Sequence, residues 1–289
     1  GAEYLYGLVA QFFGAGCIFG IENPSYEKIR KVYESMGIVC DPLTLSAEGI
    51  LSSELTRTKA SVLHVTPFNS YPSGITIGIS QKREYLYWAK QRNAVIVEDN
   101  YDSELTVSSK PESPLFSIAD GVNVIYMNTF SKTMVPSLRM GYMVLPEKLM
   151  EKYISTMNFY SCTVSGFEQY AMAAFIEKGY FERHIKRLVN DYRGRREKIC
   201  RMFRESRLNE ISTIYQDDAG THFLLHVKTS LSDVEIKWAV RQKGILINCL
   251  SEYCFADADK YHGILVIHYS DMDEATLKLV IAAFEEIFL

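Results

Sequence analysis

Apolar residues recur every three to four positions through EYLYGLVAQFF (residues 3–13), which predicts a helix, and CIFGI (17–21) then runs unbroken as a buried strand. The two periodicities keep alternating. SYEKIRKVYESMG (25–37) reads as a helix closed by a glycine, SVLHVTP (61–67) as a strand running into a proline, and SQKREYLYWAKQRN (80–93) as another helix. AVIVED (94–99) and VNVIYMNT (122–129) complete the strands of this half. Helices and strands joined by short loops predict a mostly parallel sheet covered on both faces. After the helix EKLMEKYISTMN (147–158) the pattern changes: residues 164–205 are helical throughout and contain no proline, as one long helix or two in succession. The remainder reads as strand HFLLHV (222–227), helix LSDVEIKWAVRQKG (231–244), strands ILIN (245–248) and GILVIHYS (263–270), and helix DEATLKLVIAAFEEIF (273–288). We therefore expect an α/β large domain over 1–160, connecting helices over 161–205 and a smaller C-terminal α+β domain over 206–289.

Composition adds mainly exclusions. With 47% hydrophobic and 23% charged residues in 289, the chain has an ordinary globular make-up. It holds no apolar run of about 20 residues, the length a membrane span needs, and its start lacks a signal-peptide pattern; a soluble, cytoplasmic protein is expected. The six cysteines are scattered without CxxC spacing, which predicts reduced thiols and no metal site. Net charge is −4, and the basic stretch ERHIKRLVNDYRGRREK (182–198) carries acids at helical spacing. That reads as a solvated helix face, not as a nucleic-acid surface.

In open parallel sheets, ligands gather at the carboxyl ends of the strands. The segments at those ends are ENPSY (22–26), TPFNSYPSG (66–74), EDNYDSE (98–104) and NTFSK (128–132). Together they supply acids, tyrosines, an amide, hydroxyls and Lys132, with Arg139 seven residues further on. Taken alone, Lys132 reads as an exposed loop lysine.

Three stretches, VEDNYDSEL, NTFSKTMVPSLRMGYMVLP and the upstream TPFNSYPSG, stand in an order that resembles the pyridoxal phosphate (PLP) fold of class I aminotransferases, fold type I. With GTHFLLHV in the small lobe, they are more narrowly similar to the aminotransferase-like domain of MocR transcription regulators, of the GntR superfamily. The resemblance implies roles residue by residue. Lys132 would form the Schiff base with PLP, Arg139 would pair with the phosphate, and Thr129 and Ser131 would add hydroxyl donors. Asp99 would face the pyridine nitrogen and keep the ring an electron sink, with Glu98 as the alternative one residue away. Tyr101 would donate to the ring's phenolic oxygen, as would Asn69 from the neighbouring strand end. Tyr26 would stack on the ring, the alternative being simple packing. Gly1, Ala2 and Glu3 match the start of the helix whose N–H groups receive the phosphate. The family's N-terminal part, and in MocR proteins a winged helix-turn-helix, is then expected upstream of this chain.

One motif departs from the pattern. The arginine that holds a substrate carboxylate in aminotransferases falls, within one or two residues, at Val266 in GILVIHYS. His268 offers a polar contact there or points to solvent, and Lys28 lies near where some relatives place a basic residue for an effector. The resemblance thus implies a homodimeric effector-sensing domain that binds an amino-group effector as an external aldimine on PLP, with DNA reached only through the upstream domain. An amino-acid aminotransferase is the alternative.

Overall fold

The computed structural model describes residues 1–105, 113–215, 221–270 and 272–289. The chain opens with α1 (Ala2–Phe13), β1 (Ile18–Asn23), α2 (Glu27–Ser35), β2 (Val39–Ser46), β3 (Gly49–Ile50), α3 (Ser52–Arg57) and β4 (Val62–Val65). There follow α4 (Ile79–Arg92), β5 (Val95–Asp99), β6 (Asn123–Thr129), β7 (Gly141–Val144) and α5 (Glu147–Met157). Two helices, α6 (Gly166–Glu177) and α7 (Tyr180–Glu205), precede β8 (Ser212–Tyr215), β9 (His222–Val227), α8 (Asp233–Gln242), β10 (Asn248–Cys249), β11 (Ile264–His268) and α9 (Glu274–Phe288).

The large sheet runs β3-β2-β1-β4-β5-β6-β7. Its five inner strands are parallel, and β3 and β7 close the two edges antiparallel. Strand alternation sorts the core into two layers. On β5, Val95 and Val97 face α1, α2 and α5, while Ile96 faces α3 and α4 with Tyr85 and Trp88. Gly20 of β1 is required by this closeness, since a Cβ there would lie 2.8 Å from the Leu43 side chain.

Strands β2, β7 and β8 were not anticipated from the sequence. β2 carries Pro42, which cannot donate to a ladder, yet Pro42 sits opposite Ile21 in a parallel pair and is tolerated beside the sheet edge. β7 and β8 have four residues each with alternate residues exposed, too short for a periodicity to register. The strand expected at residues 245–248 is corrected: only Asn248 and Cys249 form β10. Gly244 turns left-handed (φ 76°) after α8, and the Ile245 N–H returns to the Val240 carbonyl, so that segment closes the helix and joins no ladder.

The small sheet, β10-β11-β9-β8, is wholly antiparallel. Phe203 of α7, Ile236 and Val240 of α8 and Phe284 of α9 pack on it. α7 is a strut between the lobes: His184 in its first half hydrogen-bonds the Thr133 carbonyl at 2.8 Å, and its last turns enter the small core. Its basic residues lie mainly on the exposed side, with Arg195 paired to Asp191 at 2.9 Å. A second seam joins the end of β1 to residues 253–256. The Ser25 N–H donates to the Tyr253 carbonyl (3.1 Å), the Phe255 N–H to Asn23 Oδ1 (2.8 Å), and Asn23 Nδ2 to the Ala256 carbonyl (3.0 Å). Among the described residues no helix is long and apolar enough to cross a membrane.

Glu22 fixes the loop after β4 from within, its carboxyl accepting from Ser70 Oγ (2.5 Å) and the Thr66 N–H (3.3 Å). Burial pushes this carboxyl from 4.5 up to about 7. A raised carboxyl pKa means that the folded state holds the proton more tightly, so stability falls as pH rises from 4.5 to about 7. Over that window wild type is expected to lose up to about 3 kcal/mol relative to Glu22→Gln, seen as a gap in Tm that widens with pH; a constant gap would contradict this. Phe203→Ala empties the centre of the small core and is expected to cost about 3–5 kcal/mol in denaturant titration.

Candidate functional site

A cavity of about 280 Å³ opens at the carboxyl edge of the large sheet, beneath the small lobe. Its wall contains Ala2, Glu3, Tyr26, Asp99, Tyr101, Thr129, Ser131, Lys132 and Arg139. Residues far apart in the chain meet because β1, β4, β5 and β6 all end at this edge.

Asp99 ends β5 on the α1 side and is 3% exposed. Tyr6, one helical turn after Ala2, donates its hydroxyl to Asp99 Oδ2 at 2.5 Å. Behind the same oxygen stands His64 Nε2 at 3.7 Å, whose ring is held by Tyr33 through a 2.7 Å hydrogen bond to Nδ1. Burial, then the Asp99 charge, raises the Tyr6 phenol, which keeps it a donor. Glu98 points to the opposite layer, where its oxygens accept the Leu115 and Phe116 N–H groups at 2.8 Å. Strand alternation thereby places Asp99, not Glu98, in the cavity.

At the other rim, Arg139 closes a turn with φ 50°, a left-handed conformation costly for a non-glycine residue. Its guanidinium lies against Gly1, where a Cβ would come within 2.8 Å of Nη2, and the Gly1 nitrogen donates to the Arg139 carbonyl at 2.6 Å. A side chain at that position would displace the guanidinium. The Tyr4 and Leu5 N–H groups return to the Gly1 carbonyl, and the first-turn N–H groups of Ala2 and Glu3 lie free of the helix ladder at the cavity. The Thr129 and Ser131 hydroxyls, which line the same rim, make no hydrogen bond among the described residues. Lys132 sits in the turn after β6 and is exposed. The cause is its place on a turn at the open rim, with Val135, Pro136 and Ser137 also exposed.

Two expected residues stand behind the wall. Gly1 backs Arg139. Asn69, at φ 47°, spends its amide on Asp102 (Nδ2 to Oδ1, 3.3 Å) and Thr76 (3.4 Å), and its backbone carbonyl accepts the Tyr101 hydroxyl at 2.8 Å. It positions Tyr101 where a direct contact had been expected. Burial lifts the Asp102 carboxyl to about 7. Lys28, expected near an effector carboxylate, is turned away into a 2.5 Å ion pair with Glu3.

Tyr6, Ile29, Thr66, Tyr71 and Thr221 also line the cavity and were not anticipated. Tyr6 was discoverable, being a polar residue on the apolar face of α1 at i+4 from Ala2. Tyr71 was not, since its partners come from the small lobe. Val266, where an arginine had been sought, is buried against Leu224, Leu250 and Tyr71. His268, two residues on and on the same strand face, reaches the cavity. Among the described residues no cluster of histidine, cysteine or acids is placed to hold a metal.

The donor set suits a flat, phosphorylated pyridine aldehyde. It has a buried carboxylate for a ring nitrogen, a phenol, a ring at Tyr26, an amine, and a guanidinium with free hydroxyls at a helix N-terminus.

Comparison with known proteins agrees with this geometry. The kynurenine aminotransferase of Pyrococcus horikoshii, solved with PMP, superposes with a TM-score of 0.86 at 21% identity, over 100% of this chain and 74% of that one. The α-aminoadipate aminotransferase LysN of Thermus thermophilus, complexed with a phosphopyridoxyl-leucine, gives 0.86 at 19% over 99% and 76%. These likenesses show the fold, type I, with its mostly parallel sheet and small antiparallel lobe. Among curated relatives, the uncharacterized HTH-type transcriptional regulator YhdI of Bacillus subtilis is 31% identical over 91% of this chain and 56% of its own length. The probable rhizopine catabolism regulatory protein MocR of Rhizobium meliloti is 30% identical over 95% and 55%. The chain thus spans about half the length of the regulators it matches. The family Aminotransferase class I and II matches residues 1–284, and the chain belongs to it as an aminotransferase-like domain homologous to MocR-type regulators.

Proposed function

We propose that this chain is the PLP-binding, effector-sensing domain of a MocR-like transcription regulator. The observation that carries the reading is the convergence of Asp99, Tyr101, Lys132 and Arg139 with the α1 N-terminus in one cavity, in a chain whose curated relatives are helix-turn-helix regulators. Bound there, PLP supplies an aldehyde that condenses with a primary amine, of Lys132 or of an effector competing with it, and a ring that withdraws electrons when protonated.

The protein's own groups divide the rest of the work. Asp99, oriented by the Tyr6 hydroxyl, would face the pyridine nitrogen and hold its proton. Tyr101, whose hydroxyl donates to the Asn69 carbonyl, lines the cavity and would turn that proton to the phenolic oxygen of the bound cofactor. Arg139, Thr129, Ser131 and the α1 N–H groups bind the phosphate, the guanidinium fork and helix dipole acting on the same charge. Tyr26 covers the ring. The small lobe meets the cavity through His268 and Thr221 and is tied to the large lobe by the 253–256 seam, so effector binding biases how the lobes sit. That bias would pass to a DNA-binding domain elsewhere in the protein. With no arginine or lysine among the cavity residues of the small lobe, sensing is favoured over amino-acid transamination.

A homodimer belongs to the same proposal. Phe159, Phe167 and Tyr170, around the start of α6, are 75%, 84% and 81% exposed, an apolar patch of the kind that oligomers cover. Changing Phe167 and Tyr170 together to aspartate is expected to shift sedimentation from dimer to monomer; a monomeric wild type would refute this part.

Purified protein supplied with PLP is expected to show the visible absorbance of the bound cofactor, and Lys132→Ala to lose it while still folded by circular dichroism. Arg139→Ala should weaken PLP binding by roughly tenfold or more, the size of a lost charge-assisted hydrogen bond. A wild type that takes up no PLP would sink the proposal.

A further inference from the structure

The small-lobe end of the cavity is backed by a ring cluster of which the reading above gives only Tyr26 to the cofactor. Tyr71 is its hub: its ring lies edge-on to Tyr26 at 5.8 Å, to Tyr253 at 5.4 Å and to His222 at 5.1 Å, and it is tilted 30° to the His268 ring at 5.6 Å. Its hydroxyl is engaged by the Tyr253 hydroxyl at 2.8 Å and by His268 Nε2 at 3.2 Å. His222 is fully buried and donates from Nε2 to the Pro72 carbonyl at 3.0 Å. Desolvation pushes its pKa down to about 3, so the ring is neutral and its buried Nδ1 is left without a partner among the described residues.

The charges are distributed just as unevenly. Among the described residues, the cationic side chains of the cavity wall are Lys132 and Arg139. Arg139 lies against Gly1 and Glu3 at the α1 end, and Lys132 follows β6. In the reading above, on which this inference rests, Arg139 is taken by the cofactor phosphate, and Lys132, released when an effector amine takes its place, stays at the aldehyde end after β6. Lys28, the next base along, is neutralised by Glu3. A ligand carboxylate placed beside Tyr71 and His268 would meet neither an ammonium nor a guanidinium there, and any water it loses goes uncompensated by charge. An aromatic ring placed there would instead meet ring edges at the 5–6 Å spacing already present, a favourable geometry.

We infer that the effector is a primary amine carrying an aromatic group and no α-carboxylate, its ring seated on the Tyr26, Tyr71 and His268 side of the cavity. The amine reaches the Lys132 end and the ring fills the seam between the lobes. This arrangement makes the seam itself the reader of the ligand, because Tyr71 belongs to the large lobe whereas Tyr253, His222 and His268 belong to the small one.

The test uses two probes that differ only in the carboxylate, phenethylamine and phenylalanine. Each is titrated into the PLP-loaded protein at about pH 8, above the ordinary imidazole range, with visible absorbance and thermal shift as readouts. Phenethylamine is expected to bind more tightly by roughly tenfold or more, the scale of an uncompensated charge. His268→Arg is expected to reverse the order by giving the carboxylate a partner, and His268→Gln, which stays neutral, to retain it. Phenylalanine binding as well as or better than phenethylamine in wild type would overturn the inference, as would a PLP spectrum that phenethylamine does not move. Absence of any PLP spectrum would instead overturn the cofactor reading beneath it.

Discussion

A carboxyl group held almost out of water at the end of β5 is the constraint around which this molecule is arranged. Asp99 is 3% exposed, and a buried charge is tolerated only when hydrogen bonds replace its solvent. Tyr6 on α1 provides one, its hydroxyl donating to Asp99 Oδ2. The helix whose first turn offers free N–H groups to the cavity is thus locked to the sheet by the acid at the opposite side of the same cavity. His64 on β4 stands behind the same oxygen and is itself held by Tyr33 on α2, so α1, α2, β4 and β5 are linked through one carboxyl group. Moving α1 would strip the acid of its partner and the rim of its N–H groups together.

The second constraint is the seam. The small lobe is anchored by the Asn23 side chain and the Ser25 N–H at the end of β1, and by the ring cluster around Tyr71. Both anchors stand next to cavity residues, Tyr26 in one case and Tyr71 itself in the other. A ligand that touches the seam therefore acts on the join between two cores that are otherwise separate, one built around α1 and the parallel sheet, the other around α7, α8 and α9.

Much of this was legible from residue order because parallel strands announce themselves as apolar runs and their polar ends follow at once. Lys132, Asp99, Tyr101 and Arg139 stand out as polar breaks after such runs, and the structure gathers all four. What stayed hidden depended on distance along the chain. The Tyr6–Asp99 pair is separated by 93 residues, Tyr71–Tyr253 by 182 and Tyr71–His268 by 197, and no periodicity carries such information. Lys28 was placed by its nearness to the position where some relatives carry a basic residue for an effector, whereas its ammonium pairs with Glu3 on α1. Asn69 had the right neighbourhood but is consumed by its own turn. β2 was masked by Pro42, whose penalty is small beside a sheet edge.

The central claim is that Lys132 is the amine that meets the cofactor's aldehyde. Reduction of the PLP-loaded protein with borohydride, followed by proteolysis and mass spectrometry, tests it most directly. The account predicts the phosphopyridoxyl mass on the peptide containing Lys132 and on no other. A label on Lys28 or another lysine, or no covalent label on a protein that has taken up PLP, would contradict it.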